Sequence, residues 1–94
     1  MKYPFMRIEE DGTEITYSDA DIYNNILVYL ERYNNKSNHF DNMTIEIPSG
    51  KLINNNGYTE KEEVYHINKI KKLAKVIFLD YGDKLEETKD LEKE

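Results

Sequence analysis

The stretch Thr59-Glu60-Lys61-Glu62, followed by Val64, Ile67, Ile70, Ala74, Ile77, Phe78 and Tyr81, decides the reading of this chain. A threonine three residues ahead of a glutamate forms a capping box, and apolar residues at steps of three and four line one side of the helix it starts. Glu60, Glu62 and Glu63 fall in the first turn, where carboxylates oppose the positive end of the macrodipole, and Lys69, Lys71, Lys72 and Lys75 follow. Gly82 stands where a left-handed residue would end the helix. Within it, Val76-Ile77-Phe78-Leu79 is apolar on every side and reads equally well as a strand. As helix, it leaves a second stripe of Tyr65, Leu73, Val76 and Leu79 away from the core.

Upstream the period changes from helical to two. Lys2 to Ile8 alternates, Glu9-Glu10-Asp11-Gly12 supplies charge and a turn glycine, and Glu14 to Tyr17 resumes in β-prone residues, which together read as a hairpin. Residues 18 to 33 fit both periods. Ser18 with Asp21 suits a helix cap, whereas Ile26-Leu27-Val28-Tyr29-Leu30 is β-branched and aromatic like a half-buried strand, and we read Ile26 to Arg32 as strand. Asn34 to Asn42 is a polar loop, Met43, Ile45 and Ile47 alternate with Thr44 and Glu46, and Lys51 to Ile53 makes a short return after Pro48 and Gly50. The expected fold is α+β: a small antiparallel sheet of four or five strands packed by one long C-terminal helix, in a single domain over residues 1–82. Its expected core is Phe5 or Met6, Ile15, Val28, Leu30, Ile45 and Ile47 with the helix stripe. Residues 83–94, with only Leu85 and Leu91 as large apolar side chains, read as a charged, disordered tail.

Composition narrows the function classes. With no cysteine, neither a disulfide framework nor a thiolate metal site is possible, and a reducing compartment is the simplest setting. Nothing in the sequence resembles a signal peptide or a membrane span, so a soluble cytoplasmic protein without membrane contact is expected. A formal net charge of -6 opposes direct nucleic-acid binding and suits a basic partner.

The succession Asp11-Gly12-Thr13-Glu14-Ile15, Val28 to Arg32, Phe40-Asp41, Ile47-Pro48 and Gly57-Tyr58-Thr59-Glu60-Lys61-Glu62 resembles a family of small uncharacterised α+β proteins from anaerobic low-GC bacteria. The resemblance spans about residues 5 to 82 and implies a strand meander followed by a helix, with no activity to carry over. Lys2-Tyr3, Ile8-Glu9 and Asp11-Gly12 are also similar to the opening of HicB-type antitoxins, although the proline- and glycine-bearing second strand of those proteins is missing here.

Chemistry-bearing constellations are sparse. His39 and Asp41 flank Phe40 in a polar loop, where an imidazole beside a carboxylate could act as a base or as half a metal site. His66 reads as a helix-surface residue away from the core stripe. Ser18, Ser37 and Ser49 lack a nucleophile setting, and the four glycines sit at turn positions rather than in a phosphate loop. No catalytic residue, metal ligand or cofactor is assigned, and the chain is read as a non-enzyme. Lys69, Lys71, Lys72 and Lys75 form the only basic cluster, whose like charges call for something acidic nearby. Eight tyrosines are the compositional oddity, and of these Tyr17, Tyr23, Tyr29, Tyr33 and Tyr65 are expected to be exposed.

The functional expectation is a noncatalytic acidic protein-binding module. Its most concrete version is a phage or mobile-element inhibitor, anti-CRISPR-like in mimicking nucleic acid, that places Glu9, Glu10, Asp11, Glu14, Asp19 and Asp21, with Tyr17 and Tyr23, in a partner's cationic groove. The alternative is a self-associating structural or HicB-like antitoxin module, with a homodimer as one form, joined through Tyr65, Leu73, Val76 and Leu79. A small-molecule-sequestering oligomer is a third class, because such pockets need no motif.

Overall fold

The computed structural model describes the backbone from Met1 to Glu92 and the side-chain surroundings of residues 1–87. Five strands, β1 (Lys2–Arg7), β2 (Glu14–Ser18), β3 (Ile26–Asn34), β4 (His39–Ile47) and β5 (Lys51–Asn56), form one antiparallel sheet in chain order, and a single helix, α1 (Glu60–Glu92), lies across it. The fold is α+β, as the two periods require. The segment that fits both periods is strand: Ile26, Val28 and Leu30 are buried and pair with Ile47, Ile45 and Met43 on β4, so each inner side chain meets an apolar partner across the ladder. Leu27, Tyr29 and Glu31 take the opposite, uncovered face.

On β1 the register slips between Pro4 and Met6. Tyr3 and Phe5 therefore pack on the core, Met6 is exposed, and Ile8 beyond the irregularity is buried. Tyr17 is fully buried, in contrast to the expectation of an exposed ring. It has the parity of Ile15 on β2, it packs against Tyr3, Phe5 and Tyr81, and its hydroxyl donates to Asp80 Oδ2 at 2.5 Å.

The capping box forms: Thr59 Oγ1 accepts from the Glu62 amide and Glu62 Oε1 accepts from the Thr59 amide. The helix then presents His66, Ile70, Ala74 and Ile77 to the sheet, with Ile67, Leu73, Phe78 and Tyr81 packed beside them. This phase differs from the expected one. At 100° per residue Val64 lies about 120° from the centre of that stripe, so it is exposed while His66 is inside. Leu73 belongs to the core edge rather than to the outer stripe, and Tyr65, Val76 and Leu79 alone remain outside.

Nor does the helix stop at Gly82. Glycine in a helix costs only about 1 kcal/mol, and it is flanked by anchors: Tyr81 packs on Tyr3 and Tyr17, and Lys84 Nζ donates to the Pro4 carbonyl and pairs with Asp80. The expected tail accordingly continues the helix to Glu92, while residues 93–94 and the side chains from 88 onward lie outside the described residues.

Candidate functional site

Arg32 has the parity of Val28 and Leu30, so its side chain leaves the end of β3 on the helix side. There it meets carboxylates from three other segments. Its Nε donates to Asp41 Oδ2 at 2.9 Å on β4, and its Nη1 and Nη2 grip Glu62 at 2.5 and 3.0 Å on α1. Nη1 also reaches Asp11 Oδ2, 3.3 Å away in the β1–β2 turn, and the guanidinium lies 4.2 Å from the centre of the Tyr58 ring. Bidentate geometry of this kind is particular to arginine. Asn34 donates to the same Asp41 carboxylate, and Gly57, at a φ of 113°, passes so close that a Cβ there would collide with it.

The electrostatics follow from these contacts. The hydrogen bond from Arg32, helped by the Thr59 amide, holds Glu62 down to about 2. Burial works against ionisation of Asp11, but hydrogen bonds from Thr13, the attraction of His66 once acid has protonated it, and the charge of Arg32 outweigh it and lower its pKa. His66 is shifted the other way: burial holds it below the ordinary histidine value, and it therefore stays neutral at pH 7. Its ring is edge-on to Tyr58 and Tyr65, its Nε2 lies 3.7 Å from Asp11 Oδ2, and its Nδ1 is buried without a hydrogen-bond partner among the described residues.

Above this cluster opens a cleft of about 260 Å³ lined by Ile8, Glu10, Asp11, Glu62, Tyr65 and His66. Glu10 is exposed within its lining, Glu9 is exposed next to it in the chain, and Glu60 is exposed in the first turn of α1. One guanidinium among three carboxylates leaves the cluster two charges negative, so this end of the molecule is acidic. Arg32 sits at the centre of the cluster and supplies the counter-charge to its carboxylates.

The expected partner-binding residues do not converge. Glu9 and Glu10 lie at this end, and Glu14 begins β2 opposite Arg7 and Glu31. Asp11 is turned inward to Arg32. Asp19, Asp21 and Tyr23 sit beyond the far end of β2, and buried Tyr17 is not available to a partner at all. Asp19 is held by the Tyr3 hydroxyl at 2.6 Å and by the N-terminal amine, and Asp21 Oδ1 closes its own turn by accepting from the Tyr23 and Asn25 amides. Tyr23 and Tyr65 are exposed as expected. His39 and Asp41 do line one groove, with Asn34 and Gly57, but the Asp41 carboxylate is committed to Arg32 and Asn34. Sequence reading missed Arg32, Asp41, Glu62 and His66 as a group. The signal present was strand parity, which puts Arg32 and Asp41 on the same face as the buried Leu30 and Met43.

This chain matches no protein-family model, no curated protein and no solved structure. No helix among the described residues is long and apolar enough to cross a membrane. Any functional reading therefore rests on the site itself.

Proposed function

We propose that the protein is a noncatalytic binding module whose acidic end, formed by the β1–β2 turn and the start of α1, receives a basic surface of another protein. The observation that carries this reading is the meeting of Glu10, Asp11 and Glu62, from two distant segments, in one cleft beside Arg32, which is already shared among three carboxylates, with Glu9 and Glu60 exposed in the same two segments. Exposed Tyr65 at the same cleft adds the large, stiff contact area that interfaces favour. An inhibitor that substitutes carboxylates for phosphates is the narrower form of the proposal, now built on this end alone rather than on the full run from Glu9 to Asp21.

The test uses an arginine-rich peptide as the cationic probe, with binding read by fluorescence anisotropy. Glu9→Lys/Glu10→Lys weakens binding at least tenfold at low salt, whereas Glu46→Lys/Glu87→Lys, with the same change in net charge, leaves it within about threefold. Equal losses from both variants would mean that net charge alone attracts the peptide and would overturn the assignment.

A further inference from the structure

The outward side of α1 carries a charge pattern that the rest of the molecule does not use. Lys69, Lys72, Val76, Leu79, Asp83 and Glu86 recur at steps of 3, 4, 3, 4 and 3, the spacing that keeps one seam of a helix facing a partner helix. Val76 is 48% and Leu79 is 63% exposed. Among the described residues none of Lys72, Asp83 and Glu86 has an ion-pair partner, and Lys69 meets only the Tyr65 ring, at 5.8 Å. The seam is basic before Val76 and acidic after Leu79, so like charges crowd each half.

We infer that this seam is a two-fold interface with a second copy of the chain, the two α1 helices packing antiparallel about a point between Ile77 and Phe78. In that register Val76 meets Leu79 of the second copy, Lys72 meets Asp83, and Lys69 meets Glu86, each contact occurring twice. A two-fold interface must be self-complementary, and a seam whose halves carry opposite charge satisfies that only when the helices run in opposite directions. A parallel pair would set Lys72 against Lys72 and Asp83 against Asp83. Lys69 and Lys72 of the basic cluster thereby gain acidic neighbours, which they lack among the described residues of their own chain.

The pairing runs from Lys69 to Glu86, about 25 Å of helix at 1.5 Å per residue. A specific interface needs about 1,000 Å² of total buried surface, so this one lies at the small, weak end of the range. The dimer is accordingly expected in the micromolar range and to be sensitive to salt.

Sedimentation equilibrium of the full chain at low salt tests the proposal, with far-UV circular dichroism checking that each surface variant keeps its helix. The wild type shows a monomer–dimer equilibrium. Leu79→Glu raises the dissociation constant at least tenfold, and Lys72→Glu and Asp83→Lys each do so separately. The double variant Lys72→Glu/Asp83→Lys returns to within about threefold of wild type, because the swapped charges still face one another. A wild type that stays monomeric to about 1 mM overturns the inference. So does a dimer indifferent to Leu79→Glu, or a double variant no better than the singles.

Discussion

Replacing Arg32 by methionine keeps an unbranched apolar stem and removes the charge and all the side chain's hydrogen bonds. Asp11, Asp41 and Glu62 are then left facing one another without a counter-ion. Breaking a buried ion pair by removing one partner costs about 3–5 kcal/mol. Here the burial is uneven: the side chains of Asp41, Asp11 and Glu62 are 6%, 27% and 33% exposed, so only Asp41 bears the full desolvation cost. The lower end, about 3 kcal/mol, is the expected loss, against a total of about 5–15 kcal/mol for a domain. At about 4–8 °C per kcal/mol for a chain of this size, the melting temperature falls by about 12–24 °C. Urea unfolding followed by circular dichroism at pH 7 measures this, with an unchanged slope confirming that the folded state is intact. The variant also has a pH signature. In the wild type Glu62 is held at about 2 against an ordinary 4.5, so its contribution is complete above pH 4.5 and is lost as pH falls toward 2. Allowing for its solvent exposure, that contribution is about 1–2 kcal/mol. Arg32→Met removes it, so the variant loses less stability than the wild type between pH 5 and 3, although Asp19 and Asp80, also lowered, keep their own acid dependence. A loss under about 1 kcal/mol at pH 7, or an unaltered acid slope, would refute the account of Arg32 as the clasp of four segments.

His66 gives a second pH dependence: burial holds its folded pKa below the unfolded 6.5, so wild-type stability begins to fall as pH drops below 6.5. His66→Phe keeps the ring contacts to Tyr58 and Tyr65, removes the unpartnered Nδ1, and is expected to flatten the urea midpoint between pH 7.5 and 5.5. Gly57→Ala combines a left-handed backbone with a collision against Asp41 and costs at least about 2 kcal/mol in thermal or urea unfolding. Gly82→Ala, helical with open space around it, gains up to about 1 kcal/mol in the same assay. Tyr17→Phe deletes the hydrogen bond to Asp80, which Lys84 still supports, and should cost about 1.5 kcal/mol.

The sheet and the helix start were legible because their signals are local and redundant. Ile45 and Ile47 alternate with Glu46, and Thr59 and Glu62 cap in both directions, so neighbouring residues alone suffice. Helix phase was harder, because Val76-Ile77-Phe78-Leu79 is apolar all round and carries no direction. Counting Val64 as inside and His66 as outside followed polarity, whereas the structure buries the imidazole between two tyrosine rings and leaves the valine to solvent. Gly82 spoke for a stop, and the contacts of Tyr81 and Lys84 with β1 and β2 outweighed it. The acidic site was misjudged by reading charges along the chain instead of across the fold. The strand β2 runs the four steps from Glu14 to Ser18 at about 3.3 Å each, so turns before and after that strand fall at opposite ends of the sheet. Arg32 joins the β1–β2 turn to α1 across 21 and 30 residues of sequence, a distance over which local patterns are silent.

The clasp and the acidic end depend on each other physically. Three carboxylates around one guanidinium hold the β1–β2 turn against α1, and the same excess keeps the surface above them negative. On the proposed reading a cationic partner would meet a preformed site and relieve repulsion already present there, so that binding raises the stability of the fold by mass action without the cost of ordering a loop. The antiparallel pairing inferred for α1 extends this logic. Glu62 lies about 15 residues from the two-fold point, so the two acidic ends of a dimer would face away from each other about 45 Å apart along the paired helices. One end with few unshared carboxylates binds weakly, and two ends at a fixed separation reward a partner that repeats its basic site at a matching distance. Partner choice would then be set as much by spacing, through the seam at Val76 and Leu79, as by charge at Glu9 and Glu10.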